Sequence, residues 1–278
     1  MTQTTPPIMP ALEPTHSAEL SKPARTAGRA RTIVALVLRE MSTRYGKSPG
    51  GYIWAILEPM GMIIVLSFGF SLLLRSPSLG NSFILFYATG YLAYNLFLKL
   101  SQVVANSLNF SRALLTYPAV GWIDAVGARI VLNVLTNVLV SYLLLGGIIL
   151  LVDNRVVLSY GPILQAYCMA IALGVGVGLV NAVIISFFPV WQTVWGVITR
   201  PLFLASGIIV IFEELPPVAQ NILAYNPLMH VVGQMHRGFY PMYNPQYIDK
   251  IYVMVIALVL VALGLMLMRR FHKRILNR

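Results

Sequence analysis

Apolar runs of eighteen or more residues recur along this chain of 278 residues, and they constrain its fold more than any other feature. A hydrocarbon core about 30 Å thick takes roughly 20 residues of helix at about 1.5 Å each. Six segments meet that length: Ile53–Leu74, Phe83–Val104, Val126–Val152, Ile163–Phe188, Val194–Phe212 and Ile251–Met268. No water reaches the bilayer core, so a crossing backbone must satisfy its own polar groups, and a helix does this within one segment. Composition agrees. Hydrophobic residues make up 58% of the chain and charged residues 10%, against about 25% charged in soluble domains. The expected fold is an all-α integral membrane domain over residues 32–278 with six transmembrane helices.

The net charge of +11 invites a nucleic-acid reading, but its distribution points elsewhere. Lys22, Arg25, Arg29, Arg31, Arg39, Arg44 and Lys47 precede the first span, and Arg269, Arg270, Lys273, Arg274 and Arg278 follow the last. An even number of spans puts both groups on one side, together with Arg112 and Arg129 near the loop after the second span. Arg75, Arg155, Arg237 and Lys250 fall opposite. The excess of Lys and Arg on one side predicts cytosolic termini. Charge here is mostly topology, and no nucleic-acid partner is expected.

Residues 1–31 are rich in Pro, Thr, Ser and Ala without an apolar core, and are expected to be a disordered cytosolic tail with no cleavable signal. Next, Val34, Val37, Leu38, Met41 and Tyr45 recur at helical spacing, with Arg39, Glu40 and Arg44 largely off that stripe. This predicts an amphipathic helix lying in the membrane interface. It serves either as a plain anchor or, through Arg39, Arg44 and Lys47, as a contact for anionic head groups of lipid or substrate.

Polar residues inside the spans are informative because lipid does not satisfy them. Glu58 in the first span and Lys99 in the second each lie five residues from the cytosolic end, which predicts a buried pair, with a substrate contact as the alternative. Arg129, Asn133, Asn137 and Ser141 recur every four residues with Thr136 beside them, a polar stripe facing other helices or a water-filled path. Ala170, Gly174, Gly178, Ala182 and Ser186 form a small-residue face suited to close helix approach. Cys168, the single cysteine, reads as a small buried apolar residue. Arg200-Pro201 is a candidate kink in the fifth span.

Between the fifth and sixth spans lie two shorter apolar stretches, Val218–Tyr225 and Leu228–Tyr240, the second introduced by Asn226-Pro227, a helix-start signal. They are expected to be short extracytoplasmic re-entrant or gate helices. Catalytic chemistry is not expected. His16, His230, His236 and His272 are scattered with no metal-ligand spacing, and no carboxylates pair on one helix face. Gly46-Lys47-Ser48 lacks the first glycine of a phosphate-binding loop, since Met41 stands there, and no strand precedes it. The chain is therefore not expected to carry an ATPase site, a catalytic residue, a metal or a cofactor of its own.

Arg44-Tyr45, Gly51-Tyr52-Ile53-Trp54, Leu57-Glu58-Pro59, Tyr225-Asn226-Pro227-Leu228 and Arg237-Gly238 together resemble the permease subunit of bacterial polysaccharide ABC exporters, most closely the capsular type of Gram-negative inner membranes. The resemblance runs from about Ile33 to the end. It implies a homodimer in the bacterial inner membrane with two separate ATPase subunits holding ATP and Mg, and a lipid-linked glycan as substrate. It also admits a periplasmic polysaccharide co-polymerase as a partner.

On that resemblance, the loop Asn106–Ala125 would couple to the ATPase, with Ser111, Arg112, Tyr117 and Pro118 as contacts. Tyr52, Trp54, Phe68, Tyr87, Tyr91, Tyr94 and Phe97, with Asn133 and Asn137, are candidates to line the glycan path, the alternative for each aromatic being a lipid-facing or interfacial place. Competing readings are an ABC permease for O-antigen, teichoic acid or a small molecule, and an ATP-independent channel or carrier. No internal repeat supports the last.

Overall fold

In a computed structural model of the chain, the described residues are 31, 33–41, 51–107, 121–152 and 156–276, with side chains 51, 52 and 273–276 excluded. They are helical and joined by turns, with no strand among them. After an amphipathic helix over 33–41 come α1 (Gly51–Ser71), α2 (Phe83–Ala105), α3 (Trp122–Leu151), α4 (Tyr160–Phe187), α5 (Trp191–Leu204), α6 (Pro217–Leu223), α7 (Pro227–Phe239) and α8 (Lys250–Leu276). The tail and the proposed coupling residues Ser111, Arg112, Tyr117 and Pro118 lie outside the described residues, as do Arg44 and Lys47 and the side chain of Tyr52.

Five of these helices, α1, α2, α3, α4 and α8, are long and apolar enough to cross a membrane. The expected fifth span, Val194–Phe212, is not one continuous helix. α5 has 14 residues, about 21 Å of rise, and ends at Leu204. Pro201 within it removes a backbone donor, and Gly207 adopts φ +77, a left-handed conformation that side-chain-bearing residues rarely take. The turn that follows is held inside protein. Ser206 and Ile208 are fully buried, and Asn226 Nδ2 donates to the Ala205 carbonyl at 2.7 Å.

α4 is the central helix, packed along both α2 and α8. Its small residues explain the closeness. A Cβ at Gly178 would stand 2.6 Å from Val104 Cβ and 2.9 Å from the Ser101 carbonyl oxygen, so only glycine lets α2 approach there. Around this contact sit two apolar clusters. One holds Phe86, Tyr87, Tyr94, Met169 and Met235, and the other holds Leu100, Val104, Leu179 and Met268. Cys168, expected to be buried, is exposed on the opposite side of α4, where a thiol is as compatible with lipid as a small apolar group.

α7 lies across one end of this bundle, against α2 and α4. Its start follows the local chemistry. Asn226 Oδ1 accepts from the Leu228 N–H at 3.1 Å, and Pro227 occupies the first turn. Leu228 through His236 are all buried. Both short helices occur where the two apolar stretches precede the last span.

Candidate functional site

Three helices each bring a stripe of polar side chains, spaced by one turn, to the same place at the end of the bundle away from α7. α1 contributes Trp54 and Glu58, α2 contributes Asn95 and Lys99, and α3 contributes Asn133, Thr136 and Asn137. Between them is a cleft of about 180 Å³. Lys99 Nζ donates to Glu58 Oε1. The side chains meet as their matched depths suggested, but the pair is not buried: side-chain exposure is 30% for Lys99 and 59% for Glu58. It stands in an open cleft because α1 packs on the bundle through one narrow face, leaving Ile53, Trp54 and Leu57 outward.

The stripe on α3 is anchored to its own backbone. Asn133 Nδ2 donates to the Arg129 carbonyl and Asn137 Nδ2 to the Asn133 carbonyl, each at 2.8 Å. One turn before Asn133, Arg129 Nε donates to Glu40 Oε1 at 2.9 Å, and both side chains are 9% exposed. Here is the buried ion pair of this end, and it joins the amphipathic helix to α3. Glu40 was expected on the polar side of that helix and is instead against protein, while Val34 and Leu38 of the apolar stripe face outward, as does Arg39.

The aromatic candidates divide. Trp54 and Phe68 are exposed on α1, and Trp54 borders the cleft. Tyr87, Tyr91, Tyr94 and Phe97 are corrected to core residues, enclosed by neighbouring helices. Tyr94 Oη donates to the Thr199 carbonyl at 2.9 Å, and the rings of Tyr91 and Tyr94 meet Phe203 edge-on. A ring so occupied has no face left for a sugar.

At the α7 end a second polar group has no counterpart among the expected site residues. His236 stacks on Phe86 with ring centroids 4.8 Å apart, and its Nδ1 is 3.0 Å from Thr89 Oγ1. Complete burial pushes its pKa down to about 4, against a smaller opposing hydrogen bond to the Gly207 backbone. Tyr243 Oη donates to Glu213 at 3.0 Å and Ser78 Oγ donates to Glu214 at 2.7 Å, so the adjacent carboxylates point apart. Burial raises the phenols of Tyr243 and Tyr247. His230 bridges backbone groups, Nε2 donating to the Ala224 carbonyl at 2.8 Å and Nδ1 accepting from the Asp249 N–H at 3.1 Å. No signal short of the three-dimensional fold marks these histidines, since their partners are remote in sequence. Among the described residues, no group of three or more His, Cys, Asp or Glu side chains is arranged to hold a metal.

A bundle of apolar helices, an ion pair open to a cleft and no assembled catalytic group define a membrane transport component rather than a membrane enzyme. Residues 31–240 match the ABC-2 type transporter family, and the chain belongs to it. It is 30% identical over 246 residues to the polysialic acid transport protein KpsM of Escherichia coli, covering 88% of this chain and 95% of that protein. It is 26% identical over 243 residues to the capsule polysaccharide export inner-membrane protein CtrC of Neisseria meningitidis serogroup B, covering 87% and 92%. Against the capsule polysaccharide export inner-membrane protein BexB of Haemophilus influenzae, identity is 25% over 245 residues, covering 87% and 92%.

Proposed function

We propose that this chain is the membrane-spanning subunit of an ABC exporter that moves lipid-linked capsular polysaccharide outward across a bacterial inner membrane. The observation that carries the reading is full-length similarity to export proteins of one kind. KpsM, CtrC and BexB are named for capsule or polysialic acid transport, and each aligns over at least 92% of its length. In this reading two copies of the chain pair in the membrane, and a separate ATPase subunit binds and hydrolyses ATP for each.

Both termini lie in the cytosol. That orientation needs a sixth crossing, made by α5 together with the buried turn 205–211. Irregular backbone is compatible with membrane depth when protein encloses it, which favours this route over a lipid-exposed break. The amphipathic helix and the cleft then lie near the cytosolic face, and α7 near the outer one. The loop Asn106–Ala125 faces the ATPase, and Arg39, Arg44 and Lys47 lie where an anionic head group would approach.

The test is genetic and biochemical together. Cells lacking the chain should lose surface glycan and accumulate it inside, and the chain in trans should restore export. An ATPase subunit should co-purify with the tagged chain, and the chain alone should not hydrolyse ATP. Unchanged surface glycan in the deletion strain overturns the substrate reading, and ATP hydrolysis by the isolated chain overturns the division of labour.

A further inference from the structure

The polar cleft has an apolar neighbour. A groove of about 310 Å³ runs between the amphipathic helix, α1 and α3, lined by Val37, Met41, Ile56, Leu135, Leu139 and Leu143. Ala55, Thr136 and Val140 border both spaces, so the two adjoin along one seam between α1 and α3. The Glu40–Arg129 pair holds the amphipathic helix in place as one wall of the groove. The other wall is α1, whose Trp54 stands 63% exposed at the cleft.

The chemistry of the two halves differs. In the cleft, a carboxylate, an ammonium, three amides and a hydroxyl stand beside an open indole face. The carboxylate and ammonium balance, so the cleft has no charge excess with which to select a bare anion. It offers donors and acceptors for hydroxyl groups and an apolar face for a ring. The groove offers only apolar surface, and a hydroxyl entering it would lose its hydrogen bonds. One molecule satisfies both: a glycolipid whose first sugar sits in the cleft and whose acyl chain lies in the groove.

We propose that this seam is the binding site for the lipid end of the exported amphiphile, with the lipid-proximal sugar on Trp54, Glu58, Lys99 and Asn137 and an acyl chain against Leu135 and Leu139. The proposal rests on the export reading and deepens it. Substrate enters sideways from the bilayer at the cytosolic half, guided between α1 and the amphipathic helix, before the glycan is moved.

Two photoreactive lipids test it, each with a diazirine in one acyl chain: a monoglucosyl diacylglycerol and a phosphatidylglycerol. The full chain with its co-purified ATPase is placed in bilayer nanodiscs and irradiated. The glycolipid should label peptides carrying Leu139 and Val37 about tenfold more than the phospholipid, a difference one good contact supplies. Trp54→Ala and Asn137→Leu should each remove that preference and leave phospholipid labelling unchanged, and Leu139→Trp should block the groove to both.

Equal labelling by the two lipids, insensitive to Trp54→Ala, would make the groove a site for bulk lipid and overturn the proposal. Absence of labelling by either in correctly inserted protein would overturn it as well, and points to a second copy of the chain as the occupant. The export reading fails separately. A deletion strain that keeps its surface glycan refutes export whatever the labelling shows, and lost export with no preferential labelling refutes the site alone.

Discussion

At the α7 end of the bundle, His236 is enclosed by Phe86, Thr89 and Gly90, and Tyr243 and Glu213 meet inside a packed cap. At the other end, Glu58 and Lys99 face an open cleft beside an exposed tryptophan. Both ends concentrate polar side chains in an apolar chain, and they resolve the cost differently. The cap surrounds each polar group with partners and protein, so its groups are held in one state. The cleft leaves its groups half open, which only solvent or a ligand can complete. Between them, the Glu40–Arg129 pair is the exception at the cleft end, since it is as buried as anything in the cap. The difference separates structure from function: enclosed polar groups should govern stability, and open ones should govern what is bound.

The largest effect should come from the buried pair. Removing one member of such a pair strands the other charge at a typical cost of about 3–5 kcal/mol. Glu40→Ala should therefore detach the amphipathic helix from α3 and lower the thermal midpoint in detergent strongly. Should the midpoint hold, the amphipathic helix is not fixed to the bundle by this contact, and the groove it walls is not a stable feature.

Next in size is a pH effect from His236. Its folded pKa is about 4, below the ordinary histidine value near 6.5. The unfolded chain thus takes up a proton between those values that the folded chain refuses, so stability rises with pH across that window. The contribution is complete above pH about 6.5 and is lost as pH falls toward about 4, a change on the order of 3 kcal/mol. Thermal melting at pH 7 and pH 5 should show it, and His236→Gln should flatten the difference. A slope unchanged by that substitution would assign the acid sensitivity to other groups.

Asn226→Ala should cost about 1–2 kcal/mol, since the side chain caps α7 and its amide also holds the Ala205 carbonyl at 2.7 Å. Amide exchange should accelerate in both α7 and the turn after α5. Acceleration in α7 alone would mean that the cap and the broken helix are not coupled through Asn226.

Much of this contrast was visible in the residues before any coordinates. Length and apolarity mark five of the spans, because a membrane helix needs only its own composition to be recognised. Asn226-Pro227 announces α7 because capping is local. Equal depth brings Glu58 to Lys99 because antiparallel helices convert position along the chain into height. Lateral neighbours are another matter. Glu40 and Arg129 lie 89 positions apart, and nothing in an amphipathic pattern says that a carboxylate on its polar side will meet a guanidinium rather than water. Tyr87, Tyr94 and Phe97 look the same in sequence as Trp54 and Phe68, and only helix rotation sends the first group into the core. The break after Leu204 was half legible: Pro201 was seen as a kink, but Gly207 and the buried turn depend on the cap that α7 supplies.

The smallest stability effect should come from the pair that looked most important in the sequence. As a buried pair, Glu58 and Lys99 would have coupled by several kcal/mol. With side-chain exposures of 59% and 30%, they belong with solvent-screened pairs, whose coupling is about 0.2–1 kcal/mol. A double-mutant cycle of Glu58→Gln and Lys99→Met, read as thermal stability of the purified chain, should return a coupling in that range. The same variants should weaken export much more than they weaken folding, because the open pair supplies donors and acceptors to whatever enters the cleft. Surface glycan normalised to the amount of inserted protein separates the two effects. A coupling of several kcal/mol would mean that the cleft closes around the pair in the assembled transporter, and would move Glu58 and Lys99 from the open group to the enclosed one. Weak coupling with undiminished export would leave the cleft without a role in transport.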